Sequence, residues 1–244
     1  IAKMYGEEKI SDSNVTVLCP EEGIYLSMRA ILSKGDEVIV TSPAYQSLIE
    51  VASATGAKIK KWEAYIDPNT SDISFRIEDF LHLISEKTKL IVVNFPHNPT
   101  GYQLPRKDFN LMIETCKSLE NVYLFSDEMY RGLEYEKELQ NPAICEVYEK
   151  GISLCGMSKV YAMPGIRIGW VVAAKKYIEI LGNFSSFGMG GVSRPSQLYA
   201  LELFNQDRIE LARKAIPEFY DHQRERYGKV FPELGLELFS GSGG

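Results

Sequence analysis

The spacing of apolar residues along the chain switches repeatedly between two periods. In "EEGIYLSMRAILSKG" (21–35) apolar positions recur every three to four residues, as on one face of a helix, and "DEVIVTSP" (36–43) follows as a short apolar run of strand type. "QSLIEVASATG" (46–56) then predicts a helix and "KIKKWEAY" (58–65) a strand, while "RIEDFLHLISEK" (76–87) predicts a helix and "KLIVVNFP" (89–96) a strand. The exchange continues with "PRKDFNLMIETCKSL" (105–119) as a helix and "NVYLFSDE" (121–128) as a strand. "ISLCGM" (152–157) and "RIGWVVAA" (167–174) are short and apolar enough to be strands covered on both faces. From Ser193 to Tyr227 the pattern is mainly helical, and "FPELGLELFSGSGG" (231–244) predicts the start of a further β-like segment. Such alternation predicts an α/β fold: a mostly parallel central sheet, helices on both faces, and ligands gathered at the carboxyl ends of the strands.

Composition narrows the function classes. With 244 residues and 45% hydrophobic content the chain can bury a large core. Its 33 acidic and 27 basic residues leave a charge of −6, and no basic run or basic–aromatic stripe speaks for nucleic acid. Cys19, Cys116, Cys145 and Cys155 form no CxxC pair, and His82, His97 and His222 are not clustered, which argues against a metal site and fits the reduced thiols of a cytoplasmic protein. No apolar run has membrane-spanning length, so no membrane partner is expected. The opening "IAKMYGEEKI" has neither a signal-peptide core nor an initiator methionine and is expected to be a cut end.

The polar segments just beyond the strands carry the chemistry. "TSPAY" (41–45), "NFPHNPTG" (94–101), "SDEMY" (126–130) and "GMSK" (156–159) each follow a strand, and "SKVYAMPGIRIGW" (158–170) sets a lysine and an arginine about a turn containing Pro164 and Gly165. If the strands are neighbours, Tyr45, Asn98, Asp127, Tyr130, Ser158, Lys159 and Arg167 meet around one cleft. A lysine held among apolar strands has a lowered pKa, and its neutral amine condenses with an aldehyde to an imine. An aspartate facing a pyridine nitrogen keeps that ring an electron sink, a tyrosine and an asparagine amide hydrogen-bond its phenolate oxygen, and a second aromatic stacks on its face. Serine and arginine suit its phosphate, the arginine by a bidentate contact. That set is the chemistry of pyridoxal phosphate.

In these motifs the sequence resembles the fold-type I pyridoxal phosphate enzymes, and among them the class I/II aminotransferases. The resemblance implies Lys159 as the imine lysine, Asp127 at the ring nitrogen, Asn98 and Tyr130 at the phenolate oxygen, Tyr45 as the stacking ring, and Ser158 and Arg167 at the phosphate. It also implies transfer of an amino group from an L-amino acid to a 2-oxo acid in two half-reactions, with Lys159 as proton carrier and Asp127 and Tyr130 as the other catalytic residues. Two positions depart from the family's pattern. In "LCPEEG" (18–23), where the phosphate cup is expected, Pro20 has no amide hydrogen and Glu21 and Glu22 add negative charge, although their backbone amides remain candidate phosphate ligands. Gly156 stands where relatives usually carry a serine.

Relatives on this framework also catalyse eliminations, oxidations and ring closures, so a lyase or an oxidising or cyclising enzyme stays open beside the aminotransferase, as does a non-catalytic ligand-binding derivative. The resemblance further implies a cofactor-holding large domain over 1–190, lacking its N-terminal part, and the interdomain helix and beginning of an incomplete small domain over 191–244. A homodimer is implied as well, with the arginine for the substrate carboxylate expected beyond Gly244. An incomplete enzyme of this kind should bind cofactor poorly to moderately and transaminate little.

Overall fold

The apolar runs of the sequence become the strands of a seven-stranded sheet in the computed structural model, which describes residues 1–6, 10–188 and 190–236 and, at Gln206, the backbone alone. In chain order the elements are β1 (Val15–Leu18), α1 (Pro20–Ile31), β2 (Glu37–Ser42), α2 (Gln46–Ser53), β3 (Lys58–Glu63), a small hairpin of β4 (Tyr65–Ile66) and β5 (Ile73–Ser74), α3 (Ile77–Leu83), β6 (Thr88–Asn94) and α4 (Arg106–Ser118). They continue with β7 (Tyr123–Asp127), α5 (Ile144–Val147), β8 (Gly151–Gly156), β9 (Gly169–Val172), α6 (Lys175–Gly188), α7 (Arg194–Leu203) and α8 (Gln206–Glu233).

The sheet runs β1-β9-β8-β7-β6-β2-β3. Only β9 opposes its neighbours, so the mostly parallel sheet is as expected. The chain steps from β2 outward to β3, returns to the other side of β2 as β6, and proceeds away through β7 and β8. Right-handed crossovers then require the helices to change face when the direction reverses. They do: α1, α2 and α6 cover one face, and α3, α4 and α5 the other. Alternate residues of each strand serve the two faces, Val38, Val40, Leu90 and Val92 on the first, Ile39, Ile91 and Val93 on the second. Each such aliphatic side chain contributes roughly 1.5–3 kcal/mol when fully buried. A third cluster joins Trp170 and Val172 of β9 to α7 and α8, and the Trp170 indole donates to the Tyr5 hydroxyl at 2.8 Å.

Several expectations need correction. Helix α1 ends at Ile31, because Leu32 is extended and Gly35, at φ 95°, turns the chain into β2. Within 167–174 the strand starts only at Gly169, since Pro164–Ile166 form a 3-10 turn and Arg167 is left-handed. Strand β1, the β4–β5 hairpin and helices α5 and α6 were not expected at all. The β-like segment expected from 231 is helical up to Glu233, where α8 ends; its remaining part, 237–244, lies outside the described residues. Among the described residues, no helix is long and apolar enough to cross a membrane.

Candidate active site

The carboxyl ends of β1, β2, β6, β7 and β8 lie along one edge of the sheet, beside the point where the strand order reverses, which is where α/β sheets hold ligands. Asp127 is the last residue of β7 and is 4% exposed. Its Oδ1 accepts the Met129 amide at 3.2 Å. Burial pushes its carboxyl up to about 7; Glu128 and Glu21 add to the rise, and the Met129 amide and Lys159 oppose it.

Asn94, at the end of β6, is a residue that sequence reasoning missed. Its side-chain amide donates to the Asp127 carbonyl at 2.7 Å and its Oδ1 accepts the Asn98 amide at 2.8 Å, so one buried side chain ties the loop carrying Asn98 to the strand carrying Asp127. The only sign of it in sequence is a polar residue closing an apolar strand. Glu128 was also missed. Strand alternation turns it to the opposite side from Asp127, where Oε1 accepts the Ile144 amide at 2.9 Å and the Ser153 hydroxyl at 2.7 Å, anchoring α5 and β8 to β7. His97, given no role by the sequence reading, is buried against Phe75 with ring centroids 4.6 Å apart, and burial lowers its pKa to about 4.

The turn between β8 and β9 is held by backbone bonds, Met157 to Ile168 at 3.0 Å and Met163 to Met157 at 2.9 Å. It carries Lys159 beyond the end of the strand, and the side chain is exposed rather than enclosed among apolar strands as expected. The ammonium nitrogen lies 5.9 Å from the centre of the Tyr130 ring. The Ser158 hydroxyl oxygen is buried and has no hydrogen-bond partner among the described residues. Arg167, held at φ 56°, donates to the Pro164 carbonyl at 2.9 Å and to Cys19 Sγ at 3.4 Å, so its guanidinium stands at the start of α1.

Helix α1 starts without a side-chain cap, and its first helical bond is Gly23 N–H to the Cys19 carbonyl at 3.0 Å. Pro20 has no amide hydrogen, which leaves the Glu21 and Glu22 amides ahead of that bond as anion donors. The carboxylates of the two residues part company. Glu22 is 9% exposed and accepts the Ser185 hydroxyl of α6 at 2.6 Å, away from the site. Glu21 stays in the site, where the Tyr45 hydroxyl donates to it; that hydrogen bond raises the Tyr45 pKa, and burial and the Glu21 charge add to the rise.

The two departures in the sequence pattern are physically linked. A Cβ on Gly156 would lie 3.1 Å from Pro20 Cγ and 3.1 Å from the Ile168 carbonyl, and one on Gly169 only 2.7 Å from the same Cγ. The Pro20 ring fills the space that a side chain at 156 would need.

Tyr45, Asn98, Asp127, Tyr130, Ser158, Lys159 and Arg167 all line one cavity of about 210 Å³, with Glu21, Pro20 and Met129 beside them. The seven residues expected to converge do so. The cavity thus presents an amine, a buried carboxyl, phenols and an amide, together with a guanidinium, a hydroxyl and helix amides suited to an anion. Among the described residues, no cluster of three or more His, Cys, Asp or Glu could hold a metal ion.

Comparison with known proteins agrees with this architecture. The family model for aminotransferase class I and II matches residues 1–239. The aspartate aminotransferase of Pyrococcus horikoshii is 30% identical over 95% of this chain and 58% of its own length, and the arginine–pyruvate transaminase of Pseudomonas aeruginosa is 31% identical over 97% and 57%. A solved aspartate aminotransferase from Thermus thermophilus, a single mutant, superposes with a TM-score of 0.90 at 27% identity, covering 100% of this chain and 64% of that one. The chain therefore spans about three-fifths of the length of these relatives. With the family model matching nearly the whole sequence and the fold superposing on a solved member, this chain belongs to the aminotransferase class I and II family.

Proposed function

We propose that this protein is an aminotransferase that works with pyridoxal phosphate and moves an amino group from an L-amino acid to a 2-oxo acid. The observation that carries the reading is the placement of a buried carboxyl, Asp127, and an amine, Lys159, in one cavity at the ends of adjacent parallel strands. The residues fit the cofactor: the buried Ser158 hydroxyl has a lone pair and a proton to offer, the start of α1 has two amides ahead of its first helical bond, and the Arg167 guanidinium stands beside that start. When bound, the group supplies an electron sink for the pair left on the substrate's α-carbon.

The chain's own residues do the rest. Asp127 holds a proton on the ring nitrogen, because a positive charge placed against the carboxylate favours its ionised form and offsets the burial that otherwise keeps it neutral. Asn98 and Tyr130 hydrogen-bond the ring oxygen, and Asn94 fixes Asn98 relative to Asp127. Tyr45 flanks the ring. Lys159, on an exposed turn, has the freedom to anchor the cofactor, release it, and then carry the proton between the two carbons that exchange it. The names of the relatives support amino-acid donors. Exposed apolar residues on α6, α7 and α8, with Phe187 at 94% exposure, support a homodimer, and four unpaired cysteines support the cytoplasm.

The test is covalent trapping. Borohydride reduction in the presence of pyridoxal phosphate should fix the cofactor to Lys159, located by mass spectrometry, and Lys159→Ala should lose the label and at least about a thousandfold of turnover. A label on another lysine refutes the assignment. Release of ammonia in place of amino-group exchange would favour a lyase.

A further inference from the structure

We propose that Glu21 is a charge gate at the phosphate end of the cavity: its carboxylate competes with the ligand's phosphate for the start of α1 and sets a low affinity for phosphate-bearing cofactor. The inference rests on the cofactor reading above. Three groups favour an anion there, namely the Arg167 guanidinium beside Cys19, the unpartnered Ser158 hydroxyl, and the two amides ahead of the first helical bond. Glu21 opposes them from inside the same cavity.

Among the described residues, no ion pair joins the Glu21 carboxylate to Arg167 or Lys159. Its partner is the Tyr45 hydroxyl, which bridges from the loop after β2 to the first turn of α1. A neutral phenol orients that carboxylate without cancelling its charge. A glutamate in the first turn also draws on the positive end of the helix dipole, the attraction that a phosphate at this place would use. The side chain is thus a built-in rival for the cup, and a phosphate dianion entering the cavity meets a like charge. Pro20 sharpens the effect by withholding one amide. The phosphate of the cofactor should therefore add little to binding, and a phosphate-free pyridoxal should bind nearly as well.

The experiment titrates the full chain with pyridoxal phosphate and with pyridoxal, reading the absorbance of lysine-bound ligand, in the wild type, Glu21→Gln and Tyr45→Phe. Glu21→Gln keeps the size and the acceptor for Tyr45 and removes the charge. It should tighten pyridoxal phosphate at least about tenfold and shift pyridoxal by no more than about twofold. Inorganic phosphate should compete better in that variant than in the wild type. Tyr45→Phe keeps the charge and drops the hydrogen bond, and should not tighten pyridoxal phosphate. Equal shifts for the two ligands, or weaker pyridoxal phosphate in Glu21→Gln, overturn the proposal; so does a Tyr45→Phe variant that behaves like Glu21→Gln. Uptake of neither ligand by any of the three proteins overturns it differently, by removing the cofactor reading on which it stands.

Discussion

Asp127 is held where its neutral form is favoured, and this has a thermodynamic consequence that can be read without any ligand. Its ordinary value of 3.8 applies in the unfolded chain and about 7 in the folded one. Below about pH 4 both states hold the proton, and the group contributes nothing to the pH dependence. Between about 4 and 7 the folded state keeps a proton that the unfolded state has released, so stability falls as pH rises, and above about 7 the full penalty is present. Asp127→Asn has nearly the same shape and no charge to bury. Its melting temperature should equal that of the wild type near pH 4 and exceed it at pH 8, by thermal unfolding monitored with circular dichroism. A wild type that is the more stable of the two at pH 8 would show that the carboxylate is already compensated. On the proposed function, the same substitution should slow amino-group exchange severely, since an amide in place of the carboxylate would not hold a proton on the ring nitrogen. Asp127, Lys159, Asn98 and Tyr130 were legible in the sequence because they stand at or just past the ends of apolar strands, where ligands gather. Asn94 and the Glu21–Tyr45 pair were not, because a side chain that bridges two loops leaves no periodicity.

Among the elements, the central strands were legible, β1 and the β4–β5 hairpin were not, and the helices were read unevenly. Strands β2, β6, β7 and β8 are buried on both faces, so their apolar runs stand out. Helix α6 was missed because "KKYIEILGNFSSFG" is diluted by two glycines, an asparagine and two serines; it exists through tertiary contact, with Tyr177, Ile178 and Leu181 in the core and Ser185 on Glu22. The end of α8 was misread because Phe231–Pro232 looks like a break, yet Pro232 sits within the last turn of the helix. The junction of α1 with β8 and β9 explains the departures at 20 and 156 as one packing choice, and it can be measured. Gly156→Ala should cost about 1–3 kcal/mol by forcing its methyl against Pro20 and the Ile168 carbonyl. In a Pro20→Ala background the same change should cost at least about 0.5 kcal/mol less, as the ring is gone while the carbonyl stays. Urea midpoints of the four proteins give the coupling, and an additive cycle would mean that the helix start already has room for a side chain at 156.

For the whole molecule, cohesion is unequally distributed. The sheet and its two faces hold two large buried clusters, while α8, 28 residues long with Pro217 in its interior, lies mostly on the surface. Leu201, Leu211 and Phe219 are each more than half exposed on α7 and α8. Local opening follows such differences, so amides of β6, β7 and β8 should exchange with solvent only through global unfolding, and those in the second half of α8 through local fraying. A homodimer would change that ranking in a definite way. If the apolar surface of α7 and α8 is buried against a second copy, exchange in α8 should slow as protein concentration rises, by mass action, while exchange in β6 to β8 changes only with global stability. Hydrogen exchange followed by mass spectrometry at two concentrations about a hundredfold apart is the measurement. Protection of α8 that depends on concentration supports association through that surface, whereas identical exchange at both, with sedimentation showing a monomer throughout, would set the dimer aside for this chain and leave the cavity as the property of a single subunit.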